Sequence, residues 1–326
     1  MALTRRQAVL AGLASPLGLE LGPARAEVWP RKPFKIICAF PAGGLTDVFA
    51  RAYGAYIQQK TGHAVVVENK PGGGGAIGAQ ALKTAEPDGH TLMITVSTTL
   101  LGNRVLYKNL SYDVDRDFTF ISLLSTGHLP LVAHKSTGAS NIAEFVAFAR
   151  VNKVSFGSYA AGSLAHIMCH ELNKLYGLDM VVVNYRGEAP MWQDLLAGAI
   201  QVACGSFSAA TAALDSGTAR AIAVPTTRRM SKLPEVATFL EQGLTSKAFQ
   251  LMSWVGLLGQ AGMPEATVAA ISELMVEAGR GAAIQKLLAS VGVDDAAVDY
   301  KTFRQVYDSQ GPVWLDLVRN LGLAAQ

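Results

Sequence analysis

Charge is scarce in this chain. Of 326 residues only 16% are charged, and 28 Lys and Arg stand against 25 Asp and Glu for a formal net of +3. A balance so near neutral lacks the basic field that holds nucleic acid. Cysteine is nearly absent as well. Cys38, Cys169 and Cys204 are an odd number, so at most one disulfide can form, and their small or apolar neighbours suit buried free thiols. No apolar run is long enough to span a bilayer. Half of the residues are nevertheless apolar, which excludes a disordered chain and fits a packed one.

The usual catalytic signatures are missing too. Gly73-Gly74-Gly75-Ala76-Ile77-Gly78 matches G-x-G-x-x-G, yet Lys70-Pro71 separates it from the preceding strand. The next strand ends at Ser97 with no acidic residue for a ribose, and no Walker lysine follows. A turn or lobe-edge loop fits it better than a nucleotide site. His166 and His170 share a helix face, but the H-E-x-x-H order is absent, so core or cleft histidines are favoured over metal ligands. There is no G-x-S-x-G elbow, and Ser163 with His166 on one turn lacks an orienting acid and an oxyanion partner.

What is present begins with a leader. Thr4-Arg5-Arg6-Gln7-Ala8-Val9-Leu10, a mildly apolar stretch broken by Pro16 and Glu20, and Ala24-Arg25-Ala26 read together as a twin-arginine-type signal peptide over 1–26. Plain Sec export is the alternative. Cleavage removes Arg5, Arg6 and Arg25 against Glu20, so +3 falls by two to +1. The expected product is an exported, soluble periplasmic protein. About 300 mature residues exceed one core and predict two lobes.

Strands predicted at Phe34–Phe40, Ala64–Glu68 and Thr91–Val96 alternate with helices, the order of a parallel sheet with right-handed crossovers. Tyr112 to Phe120 reads as an acidic turn. The alternation resumes from Leu129 to Val224, and Pro225 marks a crossing between lobes. A helical tail, with separate helices at Tyr300–Asp308 and Pro312–Leu321, has no sheet of its own and is expected to pack on the first lobe. The domains are thus 27–125 plus 225–326 for lobe 1 and 126–224 for lobe 2. Two crossing strands make a hinge, and a hinge makes a cleft.

Three strand-to-helix loops bear on that cleft. In Pro41-Ala42-Gly43-Gly44-Leu45-Thr46-Asp47 the glycines allow a sharp turn, Thr46 or Asp47 can cap the helix, and free N–H groups at its start attract anions. A plain βα turn accounts for it equally well. Ser158-Tyr159-Ala160-Ala161-Gly162-Ser163 repeats the geometry in the other lobe, with Ser163 as N-cap, and a capped turn is again the competing reading. Two such loops facing across a hinge favour binding. In Asn184-Tyr185-Arg186-Gly187-Glu188-Ala189-Pro190, Arg186 is placed either on a ligand carboxylate or in solvent. Tyr185 and Trp254 are candidate walls.

Phe40-Pro41-Ala42-Gly43-Gly44-Leu45-Thr46-Asp47 with Ala50-Arg51, Val67-Glu68-Asn69-Lys70-Pro71-Gly72, Pro87-Asp88-Gly89 and Gly157-Ser158 to His166 resemble the Bug family. Its members are extracytoplasmic solute-binding proteins of tripartite tricarboxylate transporters. Tyr185-Arg186-Gly187, Ala189-Pro190, Asp194-Leu195, Gly198, Leu233-Pro234-Glu235-Val236 and Ser253-Trp254 continue the match over nearly the whole mature chain. The resemblance implies an α/β, two-lobe Venus flytrap of type II-like build. It implies a small organic carboxylate bound between the lobes, partly through ordered water, by Ala42, Gly43, Gly44, Thr46 and Asp47 and by Ser158, Ala161, Gly162 and Ser163. Asp47 is expected to cap rather than touch the anion. Ser97, His166, Tyr185, Gly205 and Trp254 complete the expected lining.

Departures from the family pattern fall at the distal end of the ligand. Asn184-Tyr185-Arg186-Gly187 replaces P-Y-K-G, Thr98-Thr99-Leu100-Leu101-Gly102 replaces an A-x-N-P-like ending, and Cys204-Gly205 replaces F-D. Loss of an aspartate at Gly205 disfavours an amino-acid ligand. The expected protein is a monomeric receptor without cofactor, metal or catalytic residue, handing its solute to membrane transporter subunits or a sensor ectodomain. The rival reading is an exported α/β enzyme, a hydrolase or a dinucleotide-dependent oxidoreductase.

Overall fold

The computed structural model describes residues 29–325, so the leader read at 1–26 lies outside the described residues. Two five-stranded sheets share one layout. In the first, β1 (Phe34–Cys38) lies between β2 (Val65–Asn69) and β3 (Thr91–Val96), parallel to both, and β10 (Ser253–Gln260) joins β3 to β4 (Phe118–Gly127) antiparallel to each. In the second, β6 (Ser155–Ser158) lies between β7 (Val181–Asn184) and β8 (Val202–Cys204), again parallel. There β5 (Leu131–His134) is antiparallel to β8 and to β9 (Ala219–Ala223). Open sheets of this kind bind ligands beyond the carboxyl ends of their parallel strands. The loops after β1 and β6 therefore occupy equivalent places.

Helix α1 (Leu45–Thr61) follows β1 and stops at Gly62, whose φ of 73° is the left-handed stop its sequence position suggests. It buries Phe49, Tyr53 and Ile57 at the helical period against Ile36 of the sheet. Helix α2 (Ala76–Lys83) covers the other face. Two short helices, α3 (Asn103–Leu106) and α4 (Val114–Asp117), precede β4, and the second sheet carries α5 (Ile142–Val151), α6 (Leu164–Tyr176), α7 (Glu188–Leu196) and α8 (Phe207–Asp215).

The stretch read as an acidic turn splits in two. Val114–Asp117 is a single helical turn capped by Asp113, and Phe118 then opens a ten-residue strand. The acidic run hid the start of that strand. The tail forms three helices, α9 (Glu265–Arg280), α10 (Ala282–Val291) and α11 (Tyr300–Arg319). Pro312 does not divide α11, because Phe303, Tyr307, Gly311, Trp314 and Val318 bury one stripe straight through it. The loss of one backbone bond at proline is outweighed by that shared face. Phe303 lies 4.9 Å from Phe120 and 5.4 Å from Trp254, ring centre to ring centre, so α11 sits on the first sheet.

The chain enters the second unit between Gly127 and Leu131. It does not return at Pro225, where the sequence placed the crossing. Val224 bridges Thr238, the Gln242 amide donates to the Ile222 carbonyl and accepts from the Ile142 N–H, and Ser246 donates to Glu171 at 2.9 Å. Phe239 stacks on Phe249 at 4.7 Å. Residues 225–249 thus pack with the second sheet, and the chain returns just before β10. Proline marked a turn there rather than a change of lobe. Cys38, Cys169 and Cys204 are buried free thiols.

Candidate functional site

The two lobes meet over two small cavities. The first, of about 50 Å³, is lined from lobe 1 by Phe40, Pro41, Gly44, Leu45, Thr46, Val96, Ser253 and Val255, and from lobe 2 by Tyr159, Glu188 and Ala189, with Leu129 of the hinge between them. The second, of about 80 Å³, shares Phe40, Pro41 and Tyr159 and adds Gly72 to Gly75, Ala160, Ala161 and Tyr185 to Gly187. The glycine run that failed as a nucleotide loop is a wall of this second space. Asn103 Nδ2 ties down the carbonyls of Gly73 and Gly74 at 3.1 and 3.2 Å.

On the lobe 1 side, Gly44 is the N-cap residue of α1 and no side chain caps it. Asp47 instead reaches back and accepts from the Gly43 N–H at 3.2 Å, so Gly43 has its donor occupied. The same carboxylate takes two bonds from Arg51, at 3.1 and 3.0 Å, and one from Asn69 at 2.9 Å. Burial would raise the Asp47 pKa, but Arg51, Asn69 and the Gly43 amide together hold it below the usual carboxylate value. Leu45 and Thr46, at the first turn, have N–H groups with no acceptor inside the helix. Both line the first cavity, which places an anion-attracting helix start there.

On the lobe 2 side, Ser163 is the N-cap of α6 and accepts from the His166 N–H. Its hydroxyl also bonds Ser158 at 2.9 Å, and Ser158 donates to the Ala160 carbonyl at 2.7 Å. These fully buried serines shape the loop and leave Tyr159, Ala160 and Ala161 to face the cleft. His166 Nδ1 accepts from the Gly162 N–H at 3.4 Å, and burial, with His170 nearby, pushes its pKa down to about 4. The imidazole is therefore a neutral brace for the loop.

Of the residues singled out in the sequence, Gly44, Thr46, Ala161, Tyr185 and Arg186 border a cavity, Arg186 at an exposed position. Tyr185 is anchored by donating to Asp194 at 2.6 Å. Asp47, Ser158, Gly162, Ser163 and His166 stand behind that lining and hold it, while Ala42 and Gly43 are exposed at the turn and border neither cavity. Ser97 is fully buried beside Val96, with its hydroxyl unpartnered. Trp254 does not reach the cleft. The alternation of β10 that turns Ser253 and Val255 to the first cavity turns Trp254 into the core, where it is 1% exposed. Gly205 is not a wall either. A Cβ built on it would lie 2.9 Å from Trp192 Cζ2, 3.0 Å from Met191 Cε and 3.2 Å from Glu188 Oε1, so its bare backbone makes room for all three side chains.

Sequence reading missed Tyr159, Glu188 and Ser253. Tyr159 lay in a quoted loop but as one unremarked residue, and Ser253 betrayed itself only by lying two positions from Val255 on a strand. Glu188 gave no signal, because its partner Ser206 is 18 residues away and is brought alongside by the pairing of β6 with β8.

The match to known proteins is consistent along the chain. A protein of Pseudomonas sp. strain P51, encoded between tcbD and tcbE, is 29% identical over 317 residues, covering 96% of this chain and 94% of that one. Protein BugT of Bordetella pertussis is 27% identical over 325 residues, with 99% of each chain covered. Among solved structures, MatC from Rhodopseudomonas palustris with bound malate superposes with a TM-score of 0.79 at 28% identity, over 89% of this chain and 99% of that one. The family model described as tripartite tricarboxylate transporter family receptor matches residues 49–323, and with two mirrored sheets closing over a shared cleft the chain belongs to that receptor family.

Proposed function

We propose that this receptor captures a small organic carboxylate in its inter-lobe cleft and delivers it, after export to the periplasm, to a membrane transporter of the tripartite tricarboxylate type. One observation carries the reading. The open amide end of α1 in lobe 1 and Tyr159 of lobe 2 border the first cavity, and Tyr159, Ala160 and Ala161 border the second, which shares Phe40, Pro41 and Tyr159 with it. An anion on the α1 amides is enclosed only when the second lobe comes down on it, so closure and binding are coupled. The bound malate of MatC supports a carboxylate as the guest.

The local chemistry supports binding without catalysis. Ser163 Oγ is engaged by Ser158 and by the His166 amide, and the His166 ring faces the Gly162 N–H rather than the serine hydroxyl. Neither half of that pair is free to act as nucleophile and base.

A thermal-shift screen of mono-, di- and tricarboxylates tests the reading. A solute at one hundred times its Kd should stabilise the protein by about 2.7 kcal/mol. Stabilisation by sugars or nucleotides with none by any carboxylate would overturn it, as would recovery of a chemically altered solute.

A further inference from the structure

Glu188 is the one carboxyl that borders the first cavity. Its two oxygens are held by Ser206, one by the backbone N–H at 2.9 Å and the other by the hydroxyl. It opens α7 and Ser206 is the N-cap residue of α8; burial raises the Glu188 pKa above the ordinary carboxylate value, against the two Ser206 bonds that lower it. Among the described residues no lysine, arginine or histidine forms an ion pair with it. A half-buried acid without a counter-charge is disfavoured as the anion, and an ammonium group beside it would restore that form. Beside it stands a second unsatisfied group. Tyr159, 5% exposed and lining both cavities, has a hydroxyl with no hydrogen-bond partner. A side chain so buried normally pairs its polar atom. Thr98 and Ser253 hydroxyls lie close to it.

Across the same cavity are the N–H groups of Leu45 and Thr46. One wall is thus made to accept a negative group, and the facing wall presents a carboxylate and a phenol that lack a positive or donating guest. A dicarboxylate would set its second anion against Glu188, which must then either repel it or stay protonated. A zwitterion satisfies both walls.

We propose that Glu188 and Tyr159 form an ammonium-binding subsite, and that the preferred solute is a compact carboxylic acid bearing an amino group. The carboxylate of that solute rests on the start of α1, and its ammonium group donates to Glu188 and to Tyr159 Oη. The inference rests on the carboxylate reading above and deepens it. It also reverses the expectation drawn from Gly205: the acidic group missing from that position is supplied from the neighbouring loop, into the space the glycine leaves.

Titration calorimetry on the full mature chain, with matched solutes, separates the two claims. Alanine, lactate and propionate differ only in the group next to the carboxylate, and aspartate and succinate form a second matched set. The wild type is expected to bind the amino member of at least one set tenfold or more tighter than its amino-free partners. Glu188→Gln, which keeps the shape and an acceptor for Ser206, should abolish that preference, so that the amino and amino-free members of each set bind within about twofold of each other. Tyr159→Phe should reduce it about threefold to tenfold with the melting temperature retained. If the wild type prefers succinate or propionate, or if Glu188→Gln leaves the amino preference intact, the subsite is wrong and the carboxylate reading survives. If no acid of either kind binds, both fall together.

Discussion

Gly102 of lobe 1 faces Gly162 of lobe 2 so closely that a Cβ built on Gly102 would lie 3.0 Å from the Gly162 carbonyl oxygen. The backbone at Gly102 is helical, with φ of −57°, so any residue can adopt it. Only the approach of the other lobe demands glycine there. On the far side of the cleft Pro41 meets Gly187 in the same manner, at 2.8 Å from a built Cβ. The two lobes therefore touch through glycine backbone at both places.

Gly102→Ala should therefore act on closure and spare folding. The added methyl resists the last few tenths of an ångström of approach, a cost of roughly 1 kcal/mol or about fivefold in Kd. The ligand-free melting temperature should hold or rise slightly, since alanine favours the helical conformation. Calorimetry and thermal melting on the same variant read both quantities. Unchanged affinity would show that the lobes do not need this contact to close on a solute.

The loop of lobe 1 depends on one charge. Asp47 binds Gly43, Arg51 and Asn69 at once, which fixes the turn that presents Leu45 and Thr46. Asp47→Asn should cost about 1.5–3 kcal/mol of stability, the usual loss for hydrogen bonds made to a charged group. Because its folded pKa is depressed below the ordinary 3.8, the stability Asp47 contributes is present above that value and lost as pH falls through the lower one. A double-mutant cycle with Arg51→Gln in urea unfolding should show the two changes to be non-additive by about 1 kcal/mol. Full additivity would mean the pair is not coupled.

How much of this was legible from sequence follows from the range of each signal. The turn after β1, the stop at Gly62 and the cap at Ser163 are local, written in residues within a few positions of one another, and they read correctly except that the cap of α1, expected at Thr46 or Asp47, is Gly44 without a side-chain bond. The strand at Phe118 was masked by the acidic run before it, and the return crossing by Pro225, because both are settled by packing against distant segments. The cleft lining is harder still. Side chains that looked like contacts, such as Ser158 and Ser163, bond to each other behind the loop, while Tyr159 between them faces the cavity. Glu188 against Gly205 depends on two loops laid side by side by parallel strands, which no spacing along the chain reveals.

Trp254 illustrates the same limit and can be tested directly. It is buried edge-on against Phe303, away from both cavities. Trp254→Ala should cost about 3–5 kcal/mol, as for other large core truncations. Trp254→Phe should keep solute affinity within about twofold while lowering stability modestly. A tenfold loss of affinity in the phenylalanine variant, with folding intact, would return Trp254 to the cleft.

The brace at His166 predicts a pH window. Burial and His170 lower its folded pKa from 6.5 to about 4, so the neutral ring is the form the fold accepts. For a base with a depressed folded value, the stability is complete above 6.5 and declines as pH falls from there towards 4. The difference corresponds to roughly 3 kcal/mol by pH 4. His166→Asn offers Gly162 an amide oxygen in place of Nδ1 and cannot be protonated in this range. Its urea-unfolding free energy should fall less steeply than the wild type's between pH 7 and pH 4, the gap narrowing towards acid. Parallel pH profiles for the two proteins would show that another group sets the acid limit, and that the Gly162 loop does not rely on a neutral imidazole.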